Sequence, residues 1–253
     1  SLAGINSDVI KNYFKTQYSI DRMLVSVSGN FDEKKLIEYF EDKLNNFKKN
    51  NESLDLAGND YFKGNKIIKK DIEQSHIAIG NKSVKIQADD YYDMVLLSKI
   101  FGGSMSSRLF QNIREQKGLC YTIISMYGTY QEDGYFAIYA GVGHDKIEEA
   151  LQGIKYELDL LLKDGVTEEE LSMAKEQIKS NFIFGQESVA SRMFNNGKNI
   201  LLAGKVESQE EFIQKVDKVT VESIQKLINR ICHYEDYTKV LVTSKDNEFT
   251  FES

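Results

Sequence analysis

The sequence predicts an α+β fold, in which helices cover a β-sheet. Two runs rich in aromatic and β-branched residues, at 119–129 and 135–142, flank the turn sequence Gln-Glu-Asp-Gly at 131–134, which is typical of a β-hairpin. Amphipathic helical patterns cluster after this hairpin, and strands and helices do not alternate regularly along the chain. This arrangement favours an α+β sandwich over a doubly wound parallel sheet.

The length and composition limit the classes of protein to consider. The 253 residues fit one large domain or two unequal ones, and 41% hydrophobic with 28% charged residues is typical of a folded protein. The net charge of −7, with lysine and arginine scattered, argues against nucleic acid as a partner. No apolar run is long enough to span a membrane, so no membrane partner is expected.

Cysteine usage predicts the compartment. The chain has two cysteines, Cys120 and Cys232, and neither belongs to a CxxC pair. The start of the chain lacks the basic and apolar regions of a signal peptide. These observations predict a reducing environment and a cytoplasmic localisation.

The first 47 residues predict the order helix, strand, helix. Ile10, Tyr13 and Phe14 repeat at helical spacing, residues 23–28 alternate as in a strand, and helical spacing resumes near Leu36. Residues 48–65 are polar with few periodic apolar positions, which indicates a linker.

Residues 66–246 predict one complete domain, followed by a tail at 247–253. Its expected elements are a strand at 75–83, helices at 91–101 and 106–115, the hairpin, an amphipathic helix at 147–162, a helix at 221–231 and a strand at 239–244. Thr167 with Glu170, and Ser208 with Glu211, predict capping boxes at two further helix starts.

An internal repeat indicates how the two parts are related. The helix followed by a strand at 8–28 recurs at 221–244, so residues 1–47 resemble the C-terminal part of a preceding homologous domain. The alternative is that such a pair is simply common in α+β proteins.

A search for catalytic and metal-binding patterns finds none of the usual local motifs. His76, His144 and His233 lie far apart, and the sequence contains no HExxH, HxxEH, P-loop or GxSxG motif. Gly141-Val-Gly143 is only superficially similar to a dinucleotide turn, because it follows a hairpin. We therefore expect no metal ligands in this chain.

One segment carries a specific resemblance: Phe101-Gly-Gly-Ser-Met-Ser-Ser-Arg-Leu-Phe-Gln-Asn-Ile-Arg-Glu-Gln-Lys-Gly-Leu-Cys-Tyr121. This run resembles the second-domain signature of the insulinase or pitrilysin family of zinc peptidases (inverzincins), which includes the mitochondrial processing peptidases. Further landmarks similar to the family are Gln74-Ser-His76, Asp133-Gly134-Tyr-Phe, Glu168-Glu-Glu-Leu171 and Glu187-Ser188 with Arg192. The resemblance covers nearly the whole chain.

The resemblance implies a protein of two related domains, each a two-layer sandwich of a mostly antiparallel sheet covered by helices. In the family the HxxEH zinc site lies in the first domain, and this chain lacks that motif. The resemblance therefore implies that the chain is a C-terminal portion, that it binds no zinc itself, and that zinc belongs to the full-length enzyme or to a partner.

The resemblance also assigns site residues. Arg114 and Tyr121 match an arginine and a tyrosine that the second domain contributes across the cleft, so we expect both to be catalytic. Gly102 and Gly103 are expected to bind substrate. They lie where the noncatalytic processing-peptidase subunit has a longer glycine-rich loop, but the run here is much shorter, so the function of that loop is not carried over. The alternatives are a solvated ion-pair face formed by Arg108 and Arg114 with Glu115, a core role for Tyr121, and a glycine pair that only separates two helices.

The expected function is therefore to position substrate in a zinc endopeptidase that cleaves peptides or small proteins. The alternatives are a noncatalytic partner subunit of a heteromeric peptidase and a catalytically silent scaffold relative. The expected partners are a peptide substrate and either an N-terminal catalytic domain or a catalytic partner subunit, and a homo-oligomer is left open. We expect the chain alone to be inactive.

Overall fold

The structure is a computed structural model that describes residues 2–45, 47, 49, 60–244 and 251. Most of the predicted linker at 48–65 and of the predicted tail at 247–253 lies outside these residues. Among the residues that are described, no helix combines the length and the apolar character needed to cross a bilayer.

The chain forms two compact units. The smaller unit comprises Ser1–Leu56 with Phe184–Val206, and the larger unit comprises Ala57–Ile183 with Glu207–Ser253. The division into a remnant at 1–47 and a complete domain at 66–246 stays a prediction.

The smaller unit contains helices α1 (Ser7–Gln17), α2 (Glu33–Leu44) and, from later in the chain, α6 (Val189–Ala203). Side-chain oxygens cap all three helices, from Asn6, Asp32 and Ser188 respectively. No residue of α1 or α2 is buried. Short 3₁₀ turns at Leu2–Gly4 and Ile20–Arg22 flank α1.

The strand predicted at residues 23–28 is wrong. The segment is not paired with any strand of the described residues, and a β-strand requires hydrogen bonds to a neighbour. It lies instead along α6, where Ser26 Oγ donates to Met193 O at 2.6 Å. A Cβ added at Gly197 would lie 3.1 Å from Ser26 Cβ, so the segment and the helix are close together.

The larger unit is built on a five-stranded sheet in the order β1-β5-β2-β4-β3. The strands are β1 (Asn65–Lys69), β2 (Ser75–Lys82), β3 (Cys120–Thr129), β4 (Gly134–Val142) and β5 (Thr238–Thr243). β1 pairs with β5 in parallel, and all other pairs are antiparallel. The predicted hairpin is confirmed as β3 and β4.

Sequence reasoning missed β1. All five of its residues are exposed, so the strand shows no alternation of buried and exposed positions. Its place in the sheet is set by β5, which lies more than a hundred residues later in the chain. An edge strand of this kind has no local signal.

Helices of the larger unit are α3 (Tyr91–Gly102), a π-helix (Phe110–Gln116), α4 (Ile147–Asp164), α5 (Glu168–Glu187), α7 (Gln209–Lys218) and α8 (Val221–Ile231), with a 3₁₀ turn at Tyr234–Asp236. The last residues of α5 belong to the smaller unit. Both predicted capping boxes are confirmed: Thr167 with Glu170 starts α5, and Ser208 with Glu211 starts α7.

One face of the sheet forms the core with α3, α4 and α8. Alternate residues of β2, β4 and β5 are buried, which is the pattern of a sheet covered on one side. The fully buried apolar side chains of this core include Ile77, Ile79, Phe136, Ile138 and Leu241 from the sheet and Met94, Leu97, Phe101, Ile154, Leu158 and Ile224 from the helices.

α3 comes close to β3 at its last residue, Gly102. A Cβ at Gly102 would lie 2.3 Å from the backbone nitrogen of Ser125 and 2.9 Å from its Cβ. Ser125 Oγ also donates to Ser98 O at 2.8 Å, and this hydrogen bond holds α3 and β3 together next to Gly102. Only glycine fits at position 102.

We expect Gly102→Ala to lower the free energy of unfolding by about 1–3 kcal/mol, because overpacking forces the helix away from the strand. The measurement is urea unfolding followed by circular dichroism. Gly64→Ala is the control, since a Cβ there meets no atom within 4 Å. Equal stability of the two variants would contradict the close approach.

Candidate functional site

Arg114 lies on the π-helix Phe110–Gln116, where the sequence predicted an ordinary helix at 106–115. π-Helical turns are rare in proteins, and many of those that occur lie at functional sites. The turn is attached to the core by Ile113, which is fully buried. Ile113 Cδ1 would lie 3.4 Å from a Cβ at Gly153, so the side chain packs on α4 at a position without a side chain.

The π-helix ends at a glycine that sequence reasoning did not assign. Gly118 has a φ of +60°, which an L side chain rarely adopts, and its N–H donates to Arg114 O at 3.1 Å. Leu119 N–H donates to Ile113 O, also at 3.1 Å, across six residues, which is two residues wider than the i→i−4 bond of an α-helix. A glycine directly after a helical pattern indicates the end of a helix, so the sequence did contain a signal for this position.

The Arg114 side chain is 41% exposed and lies over a ring. Its Cζ is 4.6 Å from the centroid of the Phe110 ring, within range of a cation–π interaction. Its Nε lies 3.8 Å from Glu115 Oε1, which is beyond hydrogen-bond distance. The neighbouring acid is therefore only a loose partner, and the guanidinium reaches solvent.

Tyr121 occupies a β-bulge at the start of β3. Cys120 pairs with Val142 and Thr122 pairs with Gly141, so Tyr121 is the extra residue between them. Bulges next to functional sites redirect side chains. Tyr121 is 73% exposed, so the alternative that it is a core residue is wrong.

Arg114 acts electrostatically on Cys120, the residue before Tyr121. Burial raises the pKa of the Cys120 thiol to about 11, and the nearby charge of Arg114 opposes this rise. Arg114 therefore lies close to the first residue of β3, immediately before Tyr121. A thiol with a raised pKa stays protonated near neutral pH and is therefore unreactive.

Gly102 and Gly103 have different surroundings. Gly102 is buried, and its packing on Ser125 explains the absence of a side chain. Gly103 is exposed, although a Cβ there would lie 2.9 Å from Lys99 Cα. Substrate binding by these glycines stays a prediction.

Arg108 does not belong to a solvated ion-pair face. Its Nε and Nη2 donate to the two carboxylate oxygens of Glu170 at 2.6 and 2.7 Å, and Nη2 also donates to Gly165 O at 2.8 Å. Glu170 Oε2 accepts from Thr167 N–H at 2.8 Å as part of its capping box. Arg108 thus holds the segment before the π-helix to the start of α5.

The three histidines are engaged in structural contacts. His76 Nδ1 bonds Tyr139 Oη at 2.7 Å, His144 Nδ1 bonds Ser75 Oγ at 2.7 Å, and His233 Nε2 bonds Asn229 O at 2.9 Å. Within the described part of the chain, no three His, Cys, Asp or Glu side chains are grouped as metal ligands. These residues do not fit the ligand set of a zinc ion.

Comparison with known protein families matches residues 4–178 to the family described as "Peptidase M16 inactive domain". The chain belongs to this M16 family. The match includes Gly102, Gly103, Arg114 and Tyr121. The resemblance to zinc peptidases of the insulinase or pitrilysin family is confirmed.

Curated relatives of this M16 chain are named as zinc proteases. It is 33% identical over 247 residues to the "Uncharacterized zinc protease YmxG" of Bacillus subtilis, covering 98% of this chain and 60% of the relative. It is 34% identical over 232 residues to an "Uncharacterized zinc protease" of Rickettsia felis, covering 91% and 56%. The chain therefore spans about three fifths of the length of these relatives.

Solved structures share the M16 fold. A protease from Helicobacter pylori matches with a TM-score of 0.84 at 21% identity, over 96% of this chain and 60% of that chain. The peptidase M16 inactive domain from Pseudomonas fluorescens matches with a TM-score of 0.84 at 19% identity, over 100% and 60%. The predicted α+β sandwich with a mostly antiparallel sheet is confirmed.

The Arg108–Glu170 pair predicts a pH-dependent stability. Burial raises the pKa of Glu170, but hydrogen bonds from Arg108 and Thr167 outweigh it, so the pKa lies below its ordinary value of 4.5. A lowered carboxyl pKa stabilises the folded state above pH 4.5, and this contribution is lost as pH falls through the folded-state value.

We expect Arg108→Ala to cost about 1–3 kcal/mol of unfolding free energy at neutral pH, because it removes charged hydrogen bonds from a half-buried carboxylate. The cost should shrink in acid, as measured by urea unfolding at several pH values. Lys146→Ala removes an exposed ion pair with Glu149 and serves as the control, with a much smaller loss expected because exposed ion pairs contribute little to stability. A pH-independent loss in Arg108→Ala would contradict the pairing.

Proposed function

We propose that this chain is the C-terminal, substrate-positioning portion of a zinc-dependent endopeptidase that cleaves peptides or small proteins. In this proposal the zinc ligands come from an N-terminal domain outside this chain. The observation that carries the proposal is the exposure of Arg114 and Tyr121 on two irregular backbone segments within the region matched to the M16 family. The names of the relatives support a zinc peptidase.

The chemistry of the two side chains suits this role. A guanidinium is a planar fork of N–H donors, so Arg114 can hold a substrate backbone carbonyl in a fixed direction. A phenol donates one hydrogen bond, so Tyr121 can stabilise the oxyanion that develops when a peptide carbonyl is attacked. Both groups reach solvent from a rigid base, as a cross-cleft contribution requires.

The smaller unit supports the existence of a preceding domain. Residues 23–28 have the alternating sequence of a strand but no strand partner in the described residues, and Ile10, Tyr13 and Phe14 of α1 are exposed. In the larger unit the equivalent order, α8 followed by β5, places β5 between two neighbouring strands. We propose that residues 1–47 complete a homologous sheet supplied by the rest of the protein.

We expect Tyr121→Phe, in the full-length zinc-containing enzyme, to lower kcat by ~10²-fold or more, because it removes a positioned oxyanion donor. Arg114→Ala should lower kcat/KM and raise KM as well, because it also removes substrate binding. Steady-state kinetics on a peptide substrate measures both effects, with thermal melting as a check on folding.

The controls are Tyr130→Phe and Lys85→Ala, which make comparable changes to exposed side chains at the opposite end of the sheet. Arg108→Ala is unsuitable as a control, because Arg108 is bonded to Glu170. Near-full activity in both Tyr121→Phe and Arg114→Ala would refute the proposed roles.

We also expect the chain alone to take up no stoichiometric zinc and to hydrolyse no peptide, because its histidines are engaged elsewhere. Metal analysis after dialysis, with a peptidase assay, measures this. One tightly bound zinc per chain with chelator-sensitive activity would overturn it. Activity that appears only after mixing the full-length protein with a zinc-bearing second chain would indicate a noncatalytic partner subunit instead.

A further inference from the structure

A single carboxyl group interrupts the buried face of α4. Glu157 lies among the fully buried residues Ile154, Leu158 and Leu161 and is itself only 2% exposed. Its Oε1 accepts from Asn112 Nδ2 at 2.9 Å, while its Oε2 is buried without a hydrogen-bond partner among the described residues. A buried carboxyl with one partner is costly, so its position calls for a reason beyond packing.

The charged groups around Glu157 do not neutralise it directly. Burial raises the pKa of Glu157 above its ordinary value of 4.5, with Glu170 adding to the rise and Asn112, Arg108 and Lys117 opposing it. Arg108 is already bonded to Glu170 through Nε and Nη2. The direct partner of Glu157 is therefore the neutral amide of Asn112, and the pair is a directional hydrogen bond within an apolar interface.

Asn112 and Ile113 attach the π-helix to α4 at two points. Asn112 bonds Glu157, and the next residue, Ile113, contacts α4 at Gly153. Gly153 and Glu157 are four residues apart and therefore lie on the same face of α4. One polar and one apolar contact on consecutive residues fix the rotation of the π-helix about its axis, immediately before Arg114.

We propose that Glu157 and Asn112 are positioning residues for Arg114: their hydrogen bond holds residues 110–116 in the π-helical form and so fixes the direction of the Arg114 guanidinium. This inference rests on the proposed function of Arg114. A π-helix closes i→i+5 hydrogen bonds and is rare compared with the α-helix. Reversion to α-helix would rotate each later residue about the helix axis and so would change the direction of the Arg114 guanidinium relative to α4 and β3.

A donor–acceptor exchange in the full-length zinc-containing enzyme tests the proposal. Glu157→Leu removes the acceptor and should lower kcat by about 10- to 100-fold, because small misplacements of a positioning group cost this much. Glu157→Gln keeps the carbonyl acceptor and should be close to wild type. Asn112→Asp places a second carboxyl group against Glu157 and removes the donor, so its turnover should be impaired. In the Asn112→Asp/Glu157→Gln double variant the amide introduced at position 157 donates to the carboxylate introduced at position 112, so turnover should recover.

Amide hydrogen exchange of residues 110–118 in the same proteins gives a readout besides activity. Faster exchange is expected in Glu157→Leu and Asn112→Asp, with protection regained in the double variant. Glu148→Leu changes an exposed residue of α4 and should alter neither readout. Thermal melting identifies variants that lose activity by unfolding, and the conservative Glu157→Gln and double variants keep the test valid if Glu157→Leu does not fold.

The outcomes separate the two proposals. Unchanged exchange in Glu157→Leu and Asn112→Asp, or failure of the double variant to recover, would overturn the positioning role. A second outcome is that hydrogen exchange responds and recovers as expected, but neither these variants nor Arg114→Ala changes turnover. That outcome would support the role of the Glu157–Asn112 hydrogen bond in holding the π-helix and would refute the role proposed for Arg114.

Discussion

Burial of one face of the sheet against α3, α4 and α8 constrains the arrangement of the rest of the larger unit. Each large apolar side chain removed from water on this face contributes about 1.5–3 kcal/mol, which requires the helices to lie directly on the strands. The contact is closest where α3 ends, and there Gly102 leaves room for the backbone of Ser125. The segment that follows α3 begins from this fixed point, and it carries both candidate site residues.

Two departures from regular geometry then present Arg114 and Tyr121 to solvent. The π-helix, followed by Gly118 at a φ of +60°, brings Arg114 near the start of β3, and the bulge makes Tyr121 an extra residue between Cys120 and Thr122. Irregular backbone of this kind is less favourable than regular structure and persists only where its surroundings hold it in place. The buried side chain of Ile113 and the pairing of β3 with β4 provide that support.

Polar contacts secure both sides of the π-helix, and they involve two glutamates whose pKa values are shifted in opposite directions. Glu170 is paired with Arg108 and with a helix-start N–H, so its pKa is lowered, whereas Glu157 is buried beside a neutral amide, so its pKa is raised. Hydrogen bonds are directional and apolar contacts are not, so these pairs add an orientation that the apolar core alone does not provide. The site is thus supported from α4 and α5 together.

The sequence by itself determined the elements whose signals are local: the hairpin, the capping boxes of α5 and α7, and the helix and strand near the end of the chain. The resemblance to the family, which the family match confirms for the chain, also gave Arg114 and Tyr121 as expected catalytic residues, and their roles stay a prediction. Only the tertiary structure decided that β1 is a strand, that residues 23–28 are not, that Tyr121 lies in a bulge, that Arg108 bonds Glu170, and that Glu157 is buried against Asn112. The sequence does show an acidic residue, Glu157, within the apolar face of α4, but it does not show that the partner of this residue is Asn112. The physical reason is common to all of these features: each depends on a partner distant in the chain, and the local pattern of residues carries no information about which distant groups will meet.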